Sequence, residues 1–214
     1  MGVIESVLSV VVACSPVIGC NKTPRMMTLA ERWPGQNPEQ MSRPDLVMVG
    51  DSIIEAWHHP GALNHGKGGQ TSSDVEKYFD LDVLAFNPRA VLIGGGINDL
   101  RYGKSIDAIV QSRLNMARKA QGRGIKVYFG NVTAYDATSP MCGPASNFAK
   151  IGGQVAVLNA VLAKICATGA CTLLDMNSAI GPFDSSLWQD CVHPNSQGNA
   201  RFDQALNSVY RTPF

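Results

Sequence analysis

The chain has 214 residues, enough for one domain of ordinary size with a full buried core. A composition of 45% hydrophobic and 16% charged residues excludes a disordered polymer and a bundle of membrane helices. With a net charge of +1 and with Lys and Arg spread along the chain, it lacks the electrostatic footprint of a nucleic-acid binder.

Residues 1–24 differ from the rest. From Val7 to Gly19 the run VLSVVVACSPVIG is almost wholly apolar, and it turns polar at Asn21. A membrane span needs about 20 apolar residues, so this shorter run fits the apolar core of an export leader better. Cys14 and Cys20 each follow small residues, as in a bacterial lipobox whose lipidated cysteine would tether the protein to a membrane. Against export, MGVIES carries Glu5 and no Lys or Arg. Two readings stay open: an exported protein (periplasmic, secreted or lipid-anchored), or an apolar arm packed on the domain. Residues 25–44, with Pro34 and Pro44, read as a linker or N-terminal arm, and residues 45–214 as the folded domain.

Within the domain, apolar runs alternate with helical patterns. DLVMVG (45–50) ends in glycine, as a buried parallel strand does. Gly50-Asp51-Ser52 follows, opening a helix, SIIEAW. A serine at this turn presents its hydroxyl at the sheet edge beside the free N–H groups of a first helical turn. The ordinary explanation is an N-cap. ALNHG (62–66) is a shorter strand, and Asn64 to Ser72 form a glycine loop whose backbone N–H groups can face a ligand. Neither the Walker spacing nor Gly-x-Gly-x-x-Gly is present, so a phosphate loop is disfavoured and a plain turn is the alternative.

AVLIGGG (90–96) is the next strand, followed by Gly96-Ile97-Asn98-Asp99, where the Asn98 amide can donate at the same edge or simply make a turn or cap. Ile106, Ile109, Val110, Leu114 and Ala117 share one helix face between a Ser105 N-cap and a Gly124 stop. IKVYFGNV (125–132) and CTLLDM (171–176) complete the strands. Between them Phe148, Ile151, Val155, Leu158, Leu162 and Ile165 step at helical spacing. Asp190-Cys191-Val192-His193-Pro194-Asn195 precedes a last helix, Asn195 to about Arg211, with Phe202, Leu206 and Val209 together. Asp and His three apart on a turn face one side, so the carboxylate can hold the imidazole. This alternation implies a three-layer α/β/α sandwich with a mainly parallel five-stranded sheet and right-handed crossovers. Its chemistry belongs at the carboxyl ends of the strands.

Cys142, Cys166, Cys171 and Cys191 remain outside the leader. An even count invites disulfides with three possible pairings, and no Cys-x-x-Cys zinc pair occurs. Small buried apolar residues are the other reading.

Taken in order, Gly-Asp-Ser, the glycine loop, Gly-x-Asn-Asp and Asp-x-x-His-Pro-Asn resemble the four blocks of the SGNH (GDSL-like) hydrolases, from about Asp45 to Arg211. The resemblance implies a flavodoxin-like fold and a serine esterase that needs no cofactor or metal. Ser52 would be the nucleophile, His193 the base and Asp190 its partner, with Ser52, Gly69 and Asn98 binding the oxyanion. The chain departs from the usual pattern at Ile54, where the family often has Thr, and at Cys191, where it commonly has Gly. Asp51, Trp57, Asp99, Tyr102 and Trp188 are candidate substrate contacts. A short acyl ester, acetyl on a carbohydrate, is the first expectation. Lysophospholipase or thioesterase activity, or an inactive carbohydrate-binding module on the same fold, are the alternatives. Adjacent His58 and His59 suit a metal poorly. The protein is expected to act as a monomer. Disulfides Cys166–Cys171, across a tight helix–strand turn, and Cys142–Cys191, tying the long loop after residues 125–132 to the histidine loop, are expected.

Overall fold

The computed structural model describes residues 25–133, 135 and 151–210. The leader with Cys14 and Cys20, and also Cys142 and Phe148, lie outside the described residues.

Strands β1 (Leu46–Gly50), β2 (Ala62–Gly66), β3 (Ala90–Ile93), β4 (Lys126–Gly130) and β5 (Thr172–Leu174) form one sheet in the order β2-β1-β3-β4-β5. Every pairing is parallel, with Val49 opposite both His65 and Ile93. Because helices cover both faces, β1 and β3 are buried along their whole length, and their continuous apolar runs follow from that. The structure therefore agrees with the α/β sandwich, and its sheet is parallel throughout.

Several strands are shorter than their apolar runs. Gly94 to Gly96 leave β3 and turn away, with Gly95 and Gly96 at positive φ. Helix α5 (Ile106–Gln121) starts at the Ser105 cap and ends before Gly122, so the positive-φ Gly124 belongs to the turn into β4. Helices α6 (Gly152–Ile165), α7 (Met176–Ile180) and α8 (Ser196–Val209) bury Val155, Leu158 and Leu162, then Met176 and Ile180, then Phe202 and Leu206. Val209 lies on the exposed side, contrary to the periodic reading. Cys166 and Cys171 are bonded across the turn into β5. Cys191 is also in disulfide linkage.

Ahead of the sheet, α1 (Leu29–Arg32) closes with a capping box between Thr28 and Glu31. Arg32 enters the core and meets Asp82 at the end of α3 (Ser72–Asp82) in a bidentate pair, Nη2 to Oδ2 2.6 Å. Trp33 stacks on His65 of β2 with ring centroids 4.2 Å apart. Gln36 Oε1 lies 2.7 Å from the Nε2 of the same imidazole. Residues 28–36 thus pack against the outer strand of the sheet through the His65 ring.

Candidate active site

Strand order reverses between β1 and β3, and the crevice at the carboxyl ends there is the expected ligand site of such a sheet. Helix α2 (Ser52–Glu55) begins just past β1, capped by Asp51, whose side chain accepts from Ile53 N at 3.0 Å. Ser52 is the first residue of α2 and half-buried. Its Oγ lies 2.8 Å from His193 Nε2. On the other side of the ring, His193 Nδ1 lies 2.7 Å from Asp190 Oδ2. Asp190 Oδ1 accepts from the backbone N–H groups of Val192 and His193, each at 2.8 Å. Burial alone would raise the Asp190 pKa, but these bonds outweigh it and hold the carboxyl below its ordinary value. A charged carboxylate then favours the tautomer with hydrogen on Nδ1, leaving Nε2 to accept from the serine hydroxyl.

Two neighbouring loops supply donors. Gly69, at φ +76, lies in the turn after β2. Asn98 sits on α4 (Ile97–Arg101), just past β3, and its Nδ2 donates to Gln70 O at 3.0 Å. That bond joins the Asn98 loop to the glycine loop and uses one of the two amide hydrogens. Ser52, Gly69, Asn98, Tyr102, Val192 and His193 all line one cleft of about 460 Å³. A somewhat larger cavity of about 540 Å³ contains none of these residues; Arg43, Lys126, Tyr128 and Tyr210 line it at the amino ends of β3 and β4.

Of the candidate substrate contacts, Tyr102 alone stands exposed in this cleft, at 63%. Trp57 is 0% exposed, with its Nε1–H donating to Asp203 Oδ1 at 2.8 Å and its ring against Phe202. Trp188 is 3% exposed and stacks on Phe183 beneath the histidine loop. Both indoles are core anchors, because no face of either is open to a sugar or acyl chain. Asp51 and Asp99 are buried too, and neither reaches the cleft. Asp99 Oδ2 instead accepts from Ser72 N and Oγ at 2.8 and 3.2 Å. His59 pairs with Asp203 through Nδ1 at 2.7 Å. Among the described residues no group of three His, Cys, Asp or Glu side chains gathers to hold a metal ion.

The sequence reading missed Arg113 beneath this floor. Fully buried on α5, it donates from Nη1 to Gly130 O at 2.8 Å and Ile93 O at 3.2 Å, and from Nη2 to Gly95 O. One guanidinium therefore ties the ends of β3 and β4 to the turn that carries Asn98. Burial lowers its pKa to about 10, opposed by Asp99 and Asp51. Burial likewise raises Asp51 to about 6, against the Ile53 N–H bond and the charge of Arg113. Asp99 is raised for the same reason. The signal was present: Arg113 falls four residues from both Ile109 and Ala117, on the apolar stripe of α5.

The profile of the GDSL-like Lipase/Acylhydrolase family matches residues 35–201. No curated protein matches the chain. Among solved structures, one from Bacteroides fragilis, provisionally described as an acylhydrolase, is similar at a TM-score of 0.71 and 23% identity, covering 86% of this chain and 97% of that one. A GDSL-like lipase from Bacteroides thetaiotaomicron gives 0.70 and 21% over 80% of this chain and 92% of that one. An acetylxylan esterase from Geobacillus stearothermophilus gives 0.61 and 15% over 77% and 93%. At these identities the likeness establishes the shared fold.

Proposed function

The chain belongs to the GDSL-like lipase/acylhydrolase family of carboxylic ester hydrolases, and from that premise we propose that it cleaves short acyl esters through Ser52, His193 and Asp190. The observation that carries the reading is the continuous chain of bonds from Ser52 Oγ through the His193 ring to Asp190. In the proposed reaction His193 Nε2 takes the hydroxyl proton as Ser52 Oγ bonds to the ester carbonyl carbon. Asp190 keeps the ring oriented and stabilises the imidazolium. The oxyanion is received by the Ser52 and Gly69 backbone N–H groups and the free hydrogen of Asn98 Nδ2. His193 then passes its proton to the departing alcohol oxygen. Water, deprotonated by the same nitrogen, releases the acid and restores Ser52.

The acyl group is read as short and the alcohol as a sugar. Beside Ser52 the cleft walls include Ile97 and Val192, and exposed Tyr102 offers an aromatic face of the kind that packs on a pyranose ring. The fold shared with an acetylxylan esterase supports the same substrate class. Rates on p-nitrophenyl esters from C2 to C12, with acetate release from acetylated xylo-oligosaccharides, test it. A maximum at C2 with acetate released is expected, and an optimum at C8 or longer would point instead to lysophospholipids or thioesters. Export is proposed from the apolar run 7–19, with N-terminal analysis of protein from its native host as the check.

A further inference from the structure

Ser52 opens α2 and Glu55 closes it. Gly66 packs so tightly on this helix that a Cβ there would overlap the Glu55 backbone, so the glycine loop lies directly against α2. Past β2 the chain makes a turn from Lys67 to Gln70, with Gln70 N donating to Lys67 O at 3.3 Å. Gly69 has φ +76, whereas Gly68 stays outside the left-handed region, which is the pattern of a type II turn. In such a turn the peptide between the two central residues is turned over relative to type I. The direction of the Gly69 N–H therefore depends on that one peptide.

Besides the Asn98 bond to Gln70 O at its far end, two bonds hold the first half of the turn in place. Lys67 N donates to Gly50 O at 3.0 Å, fixing the first corner to the end of β1. Gly68 N donates to Glu55 Oε2 at 2.9 Å, fixing the next. The second bond adjoins the decisive peptide and runs close to the nucleophile, since a Cβ on Gly68 would lie 3.8 Å from Ser52 Cβ. Gly68 and Gly69 are both exposed, so solvent would compete for these groups if the carboxylate were absent.

We infer that Glu55 is a positioning residue, whose carboxylate clamps the Gly68 N–H and thereby aims the Gly69 N–H at the reacting carbonyl oxygen. The inference rests on the proposed esterase reading, in which Gly69 is an oxyanion donor. Glu55 itself touches no reacting atom; it links the helix bearing the nucleophile to the loop bearing the donor, so that the two keep their spacing.

The test uses the full chain and p-nitrophenyl acetate. Displacing one donor by a fraction of an ångström should lower kcat in Glu55→Ala by about 10- to 100-fold while leaving KM nearly unchanged. Glu55→Gln keeps an acceptor oxygen in place and should restore most of the rate. Gly68→Pro removes the clamped N–H, and its Cβ, which would stand 2.9 Å from Glu55 Oε2, moves that flexible carboxylate aside while the ring holds the turn, proline being common at that position. In the Gly68→Pro background Glu55→Ala should therefore have no further effect. Glu55→Ala with wild-type kcat, beside an inactive Ser52→Ala, would overturn the inference and leave the esterase reading standing. An undiminished Glu55→Ala effect in the Gly68→Pro background would also overturn it. Wild-type turnover by Ser52→Ala would overturn the esterase reading itself, and this inference with it.

Discussion

Asn98→Ala separates a catalytic from a structural role in one variant. Asn98 is buried inside α4, whose N-cap is Gly96, so helix capping does not account for it. Among the described residues its side chain makes one bond, Nδ2 to Gln70 O at 3.0 Å. Gln70 is half-buried, so water can replace the lost donor, and the loss should cost about 1 kcal/mol of stability. For a chain of this size that lowers the melting temperature by about 2–4 °C. If the other amide hydrogen meets the oxyanion, kcat should fall by roughly 10²–10³, about 2.7–4 kcal/mol of transition-state stabilisation. KM should move little, because that bond strengthens only as charge develops on the carbonyl oxygen. Initial rates on p-nitrophenyl acetate and a thermal melt, taken on the same preparation, read both quantities. A variant that melts a few degrees early but turns over at the wild-type rate would refute the oxyanion role.

Two further outcomes concern the groups around the site. Arg32→Met leaves the Asp82 carboxylate buried with the Trp33 indole N–H but without its cation and should cost about 3–5 kcal/mol in urea unfolding, with kcat of the folded protein retained; an effect below about 1 kcal/mol, the level of an exposed pair, would show that this bridge is not desolvated as the structure places it. For Asp51, the pKa raised from 3.8 to about 6 means that the folded state binds its proton more tightly than the unfolded state. Its favourable contribution is full below 3.8 and is lost as pH rises through 6, so between pH 4 and 8 Asp51→Asn should gain on wild type by up to roughly 3 kcal/mol. Urea melts at both pH values measure this, and a pH-independent difference would contradict it.

Much of the architecture is legible in the sequence because a parallel sheet buried on both faces leaves continuous apolar runs. The runs at 45–50 and 90–96 marked β1 and β3, and each was overextended where glycine or a polar neighbour left the ladder. The pairing of Asp190 with His193 was also readable, since three residues on one turn bring a carboxylate to an imidazole. Aromatic residues misled. Trp57 and Trp188 are close in sequence to Ser52 and His193, but large apolar rings gain more by filling the layers beneath the loops than by lining the cleft. Contacts across long sequence separations were invisible. Nothing local in Arg32 or Trp33 announces Asp82 or His65 as partners, so residues 28–36 read only as part of a linker or N-terminal arm, with no sign of how they pack on the sheet. Arg113 stood on an apolar stripe, but its role follows only once the carbonyls of Ile93, Gly95 and Gly130 converge on it.

The central claim is that Ser52 carries the acyl group. A fluorophosphonate esterifies an activated serine in a hydrolase and leaves a stable mark, so digestion and mass spectrometry of the treated protein locate the nucleophile directly. The account predicts one modification, on the peptide containing Ser52, with loss of esterase activity in proportion to labelling. It also predicts neither label nor activity in Ser52→Ala. Labelling at another residue, or full esterase activity in a protein fully labelled at Ser52, would contradict it.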